Sequence, residues 1–267
     1  ALTTHRRLAR PDVASPPTHL PLRENLRRLR AILANRAYLV LLLSSLFAFI
    51  NQGMSFSITS YTLTYYWELP RAGFVVYSAT LFIGVVAAFL ALGALQHRFE
   101  KRTLAAVAGM ISISIAVSPY LLRFAGLFPQ NGSPALIPLL FTLVTISNGA
   151  SVAAFMMAQS MTADLIEESQ ARTGERTEAI FFAGYFFTQK CATGLGIFIT
   201  GTILSLAQFP QGLNPGQIAQ PVLDHLAIYY IGLLTLFALT SIWAVSRFPI
   251  TRAQHQARVV ALSSGQP

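Results

Sequence analysis

The chain has 267 residues, of which 54% are hydrophobic and only 11% charged, with a mean hydropathy of +0.54. A soluble domain carries about a quarter charged residues, so this composition excludes a disordered chain and argues against a soluble enzyme. Net charge is +9, and the single cysteine, Cys191, excludes an internal disulfide and a cysteine-based metal cluster.

Residues 1–37 are polar, with Pro11, Pro16, Pro17 and Pro21 ahead of an arginine-rich stretch. Within them Leu22–Ala34 can form a helix with leucines on one face and arginines on the other. It reads either as a helix lying on a membrane surface or as a solvated linker. Six apolar runs follow, each long enough to cross a bilayer as a helix of about 20 residues. They are Tyr38–Tyr66, Phe74–Gln96, Thr103–Arg123, Ala135–Leu165, Glu178–Ala207 and Leu223–Phe248. In hydrocarbon every backbone group must bond internally, and unbroken runs do not alternate as barrel strands do, so helices are expected. The first run is too long, and too far from the start of the chain, for a signal peptide. Residues 249–267 form a tail.

Basic residues sort by side. Sixteen of the nineteen fall in the first tail, the second and fourth loops and the last tail, and only Arg71 and Arg123 on the other side. This positive-inside bias predicts an integral protein of the plasma or inner membrane with both termini cytoplasmic. Spread along membrane edges, these charges serve insertion rather than nucleic-acid binding.

The nineteenth basic residue, Lys190, has twelve residues of the fifth run before it. An ammonium near the bilayer centre costs about 2.5–3.5 kcal/mol on insertion scales. Such a residue faces a cavity or an acid, or else snorkels along its neighbours. Asp164, Glu178 and Asp224 sit only at span ends, so Lys190 has no central acidic partner in this chain. Asn51, Ser55 and Thr59 recur every four residues on one face of the first run, and Asn148, Ser151 and Gln159 lie roughly on one face of the fourth. Such stripes line a water-filled path or bond one helix to the next, and the sequence leaves both open. Tyr185, shortly before Lys190, joins these candidates for a solute and coupling pathway. Glycines of the second and fifth runs (Gly84, Gly93, Gly194, Gly196, Gly201) permit close helix approach or bending, and Gly53 a flex in the first.

After the fourth run, ADLIEESQARTGERTEAI places Asp164, Glu167, Glu168, Arg172, Glu175, Arg176 and Glu178 close together. It reads as an ion-pair network at the cytoplasmic mouth or as a solvated charged loop. There is no Gly-x-Ser-x-Gly, no phosphate-cradling Gly-Lys-Ser/Thr loop and no His-Glu-x-x-His, and no histidine pair has ligand spacing. Neither an enzyme, nor a metal site, nor a cofactor is expected.

The stretch from Asp164 to Lys190 resembles the glycoside–pentoside–hexuronide:cation symporters, the melibiose-permease-like branch of the major facilitator superfamily. Asp164, Glu167, Thr173, Gly174, Arg176 and Glu178 match its D-x-x-D-x-x-E-x-x-T-G-x-R-x-E-G loop, and Lys190 matches a central lysine in the helix that follows. Gln170 and Ala179 depart from the pattern, which implies a thinner ion-pair network. Residues 97–102, with Arg98, Lys101 and Arg102, are similar to the family's R-F-G-K-R loop, with Glu100 in place of glycine. Ala31–Tyr38 is similar to the N-R-P-F/Y lead-in to the seventh helix. The resemblance implies an all-α membrane protein: six helices as two inverted three-helix repeats, the C-terminal half of a twelve-helix transporter, with residues 1–37 as its central loop. It implies symport of a sugar-like solute with Na⁺ or H⁺, the cation-site acids lying in an N-terminal half that faces Lys190, and Asp164 to Glu178 with Arg98, Lys101 and Arg102 as a cytoplasmic gate. The alternatives are a lipid or lysolipid transporter of the same superfamily, kept open by the many phenylalanines, and a non-transport assembly protein.

Overall fold

A computed structural model describes residues 35–96, 98–173, 178–210 and 212–248, leaving aside the side chains of 167–173 and 178–180. The chain divides into Ala1–Asn35 and Arg36–Pro267, and the transmembrane helices belong to the second unit. The amphipathic segment Leu22–Ala34 and the tail 249–267 lie outside the described residues.

Among the described residues six α-helices succeed one another: α1 Arg36–Tyr61, α2 Arg71–Leu95, α3 Lys101–Phe124, α4 Leu136–Thr173, α5 Glu178–Leu206 and α6 Gln220–Ser246. Each expected run is a helix. The ends shift by a few residues, because helices start at capping geometry rather than where hydropathy changes. Pro70, extended at ψ 158°, precedes α2, and Pro221 sits in the first turn of α6, where its missing N–H has no intrahelical partner to lose. The larger departure is α4. It continues through the charged stretch to Thr173, where a loop is expected after residue 165. Glu, Gln, Ala and Arg are good helix formers, so the helix outruns the apolar segment.

Five helices, α1 with its π extension, α2, α3, α4 and α6, are long and apolar enough to cross a membrane. The sixth expected span, α5, has 29 residues but falls outside that set because Gln189 and Lys190 interrupt its apolar run.

The packing repeats itself. Helix α1 packs on α5 and α6, α4 packs on α2 and α3, and α3 meets α6. Exchanging α1, α2, α3 with α4, α5, α6 maps this pattern onto itself. Three crossings put the chain on the opposite side, so the two repeats are inverted. Small residues make both equivalent crossings tight. Gly53 of α1 lies against the Thr193 carbonyl of α5, and Gly84 of α2 against Gly149 of α4. Reciprocal serine pairs tie the other two. Ser44 Oγ donates to Ser241 O at 2.9 Å and Ser241 Oγ to Ser44 O at 2.8 Å, across α1 and α6. Ser112 and Ser147 do the same across α3 and α4, both at 3.0 Å. In lipid, close van der Waals packing and such hydrogen bonds replace the hydrophobic effect as the force between helices.

Candidate functional site

Helices α1 and α4, the first of each repeat, make little contact with each other. Between them runs a groove of about 530 Å³, backed by α3 and α6. Asn51, Ser55 and Thr59 line it from α1, Asn148 and Ser151 from α4, and Tyr185 from α5. Six of the eight pathway candidates are thus brought together, and Gln159 and Lys190 are not among the lining residues.

The polar stripes face the groove and also bond one helix to the next. Asn51 Nδ2 donates to Leu234 O of α6 at 3.0 Å, and Asn148 Nδ2 to Leu81 O of α2 at 2.9 Å. Each asparagine therefore bonds a neighbouring helix while facing the groove. Asn51 Oδ1 is buried with no hydrogen-bond partner among the described residues. Thr59 Oγ1 donates back to Ser55 O at 2.5 Å, as mid-helix threonines do. Gln159 Nε2 donates to the Tyr185 hydroxyl at 2.8 Å, joining α4 to α5.

Lys190 does not line the groove. It is exposed on α5, in a stripe that includes Ala183, Phe187, Gly194 and Phe198, with Phe187 and Phe198 each 71% exposed. Lys190 follows Tyr185 by five residues, which at 3.6 residues per turn is about 140° around the helix. One face of α5 therefore does not hold both: Tyr185 lines the groove and Lys190 does not. No ion pair to Lys190 is found among the described residues.

One end of the groove is built by α1 itself. After Tyr61 the helix widens into a π-turn, Thr62–Tyr66, closed by Trp67 N–H donating to Thr62 O at 2.9 Å. Such turns occur frequently at functional sites. Tyr66, which ends it, and Trp67, which follows, are each 2% exposed and join an aromatic cluster with Tyr120, Phe128 and Tyr230. The tyrosines Tyr77, Tyr120 and Tyr230, and Ser112 and Ser147, line the groove but were not among the candidates. A tyrosine inside an apolar span is the signal that could have found the first three, because a buried phenol needs a hydrogen-bond partner.

Of the gate candidates, Lys101 Nζ contacts both carboxylate oxygens of Asp164, at 2.8 and 2.6 Å. Asp164 stands on α4, not on a loop. Arg102 Nε bonds Glu100 at 2.7 Å, and Arg98 is exposed. Glu167, Thr173, Gly174, Arg176 and Glu178 lie outside the residues whose side chains are described.

The family described as MFS/sugar transport protein matches residues 1–252. An uncharacterized symporter of Synechocystis sp. is 24% identical over 246 residues, covering 89% of this chain and 42% of that protein. The chain thus spans less than half the length of the curated relative it matches.

Proposed function

This chain belongs to the MFS/sugar transport protein family, and from that membership we propose that it forms one half of a cation-coupled transporter for a sugar or sugar-like solute. The observation that carries the reading is the groove between α1 and α4, where hydroxyl and amide groups line a path through an otherwise apolar, membrane-embedded bundle. In this reading the solute occupies that groove, and a second six-helix half closes over it. Alternating access then follows from rocking of the halves about a shared midplane site. Residues 1–37 are the cytoplasmic connection between halves, and the basic residues around α2–α3 and α4–α5 keep both termini in the cytoplasm.

Lys190 fits this arrangement from outside the groove. An ammonium on the exposed stripe of α5 would cost about 2.5–3.5 kcal/mol against lipid. Covering that stripe with a protein surface that brings water or carboxylates removes the cost. With cation sites empty, Lys190 pairs with those acids, and Na⁺ or H⁺ binding releases it, which couples ion to solute.

The test is uptake of labelled sugars into proteoliposomes carrying the whole protein, with an imposed Na⁺ or H⁺ gradient. Gradient-driven accumulation supports the reading, and Lys190→Val should abolish it while leaving insertion intact. Normal accumulation by that variant removes Lys190 from the mechanism. Uptake of lysolipid in place of sugars overturns the solute class and selects the lipid alternative.

A further inference from the structure

The side of α6 turned away from the groove ends in a charged aromatic pair. Leu234, Ala238, Ser241 and Val245 line the groove from this helix. Two residues along a helix are about 200° apart around it, so Leu236, Leu239 and Trp243 stand on the far side. All three are exposed, Trp243 at 55%, and their spacings of three and four make one apolar stripe. At its end the Arg247 guanidinium carbon lies 5.1 Å from the Trp243 ring centroid. The ring belongs to a residue one turn deeper in the helix. The guanidinium is thus held over the end of the apolar stripe, where an arginine at a span end ordinarily extends into water.

Neither ordinary use of a helix-end arginine accounts for this placement. One is to bond the last carbonyls of the helix. Here Ser246 Oγ donates to Trp243 O at 2.7 Å, Arg247 N–H to Ala244 O at 3.0 Å and Phe248 N–H to Val245 O at 3.1 Å, so those carbonyls are satisfied without the guanidinium. The other use is an ion pair. Gly109 of α3 meets Ile242 of α6, and the two helices run in opposite directions, so α3 begins at the edge where α6 ends. There Lys101 pairs with Asp164 and Arg102 with Glu100. Arg247 has no acidic partner among the described residues, and from His225 to Pro267 the sequence contains no acid.

We infer that Trp243 and Arg247 hold the phosphate of an anionic phospholipid against the far side of α6, with an acyl chain lying along Leu239 and Leu236. The indole covers one face of the planar guanidinium and leaves its N–H edge open, and that edge can take two phosphate oxygens at once. Tryptophan at a membrane edge sits at headgroup level, so the pair meets phosphate rather than hydrocarbon. A headgroup of net negative charge neutralises the unpaired cation, whereas a zwitterionic one brings a competing cation of its own. Free phosphate shares the charge but not the chain, and the apolar stripe beside the arginine favours the lipid. This site needs only that the bundle sits in a bilayer, and its lipid stays outside the groove whatever solute the groove takes.

Trp243 is its own reporter. The experiment places the whole protein, with Trp243 as its single tryptophan, in phosphatidylcholine bilayers carrying increasing fractions of dibrominated phosphatidylglycerol or dibrominated phosphatidylcholine. Bromine quenches indole only on close contact, so the two curves give the relative affinity of the lipids at this position. Phosphatidylglycerol should be preferred about fivefold, the effect of one basic residue at an anionic surface. Arg247→Gln should lower that ratio to about one, and Arg247→Lys to about two, because an ammonium keeps the charge without the fork. Arg71→Gln, at the opposite edge, should leave it unchanged. Native mass spectrometry of the protein with all its tryptophans should show one fewer phosphatidylglycerol retained by Arg247→Gln than by the parent. Equal quenching by the two lipids, a preference that survives Arg247→Gln, or equal numbers of retained lipids overturns the site. No quenching by either lipid means that a protein surface covers this side of α6, and overturns it too. Displacement by inorganic phosphate with no preference between lipids leaves a site for a free anion and overturns the lipid.

Discussion

Lys101 and Asp164 are joined by two short contacts from one ammonium to both carboxylate oxygens, 2.8 and 2.6 Å, which tie the first turn of α3 to α4. The side chains keep 37% and 20% of their surface exposed, so water screens part of the attraction. A double-mutant cycle with Lys101→Ala and Asp164→Asn should give a coupling of about 0.5–1 kcal/mol at low salt. At roughly 1 M salt, where the screening length is about 3 Å, it should shrink toward zero. Thermal unfolding in detergent reads both. If the pair gates the cytoplasmic mouth, either single variant also changes uptake rate, and the swapped pair Lys101→Asp/Asp164→Lys recovers part of it. Uptake that ignores all three variants makes the contact structural only.

The close crossings of α1 with α5 and of α2 with α4 depend on absent side chains. A Cβ on Gly53 would land on the Thr193 carbonyl, and one on Gly196 on the Ile50 carbonyl, with Met54 N at 2.7 Å. On Gly84 it would stand 2.8 Å from Thr145 O, and on Gly149 2.9 Å from Gly84 O. These obstacles are backbone atoms, so the helices themselves must part. Each Gly→Ala change here should cost about 1–3 kcal/mol, the range for overpacked interiors. Gly93, with nothing within 4 Å, makes the control, because alanine there should gain up to about 1 kcal/mol from helix propensity alone. Equal midpoints for Gly53→Ala and Gly93→Ala would refute the packing argument.

The reciprocal serine pairs join the remaining equivalent crossings, α1 with α6 and α3 with α4. Each serine donates to the other's carbonyl, so removing one hydroxyl leaves the opposite hydroxyl still bonded. Ser44→Ala or Ser112→Ala should therefore cost only about 0.6 kcal/mol, the average for hydrogen bonds between membrane helices. The double variants Ser44→Ala/Ser241→Ala and Ser112→Ala/Ser147→Ala should cost about twice that. The two pairs occupy equivalent helix crossings, so equal losses at both are expected. A loss confined to one pair would show that the crossings differ in strength.

The six helices were legible because an apolar run of that length has one stable state in lipid. The runs could not encode how they meet. Helices that are apolar nearly all round carry little directional pattern, so the pairing had to come from glycines and serines whose partners lie far along the chain. Asn51, Ser55 and Thr59 were legible as a stripe because polar groups stand out against hydrocarbon. Tyr77, Tyr120 and Tyr230 were not, since an amphipathic ring inside an apolar run reads equally as core. The continuation of α4 past Asp164 was missed because hydropathy reports the bilayer and not helix propensity. Tyr185 and Lys190 lie on different faces of α5, which their spacing of five residues already contained.

Arg123 braces the aromatic cluster beside the groove in a way that can be tested directly. Its guanidinium carbon lies 5.4 Å from the Tyr66 ring centroid and 5.3 Å from that of Trp67. Its Nη1 donates to Asn131 Oδ1 at 2.7 Å, and Asn131 Nδ2 donates to Tyr66 O at 3.2 Å. One side chain thus holds two rings and, through Asn131, the backbone of the first of them, the last residue of the π-turn. Arg123→Ala removes two cation–π contacts and a charged hydrogen bond, and should cost about 2–3 kcal/mol. Arg123→Lys keeps a charge over the rings but loses the planar fork, and should cost about half as much. Asn131→Ala should cost about 1 kcal/mol. Trp67 emission, read with Trp243→Phe to remove the other tryptophan of this chain, should shift to the red in Arg123→Ala and become more accessible to acrylamide. The same emission and quenching as the parent protein would mean that the aromatic cluster holds itself shut, leaving Arg123 as a charge at the membrane edge.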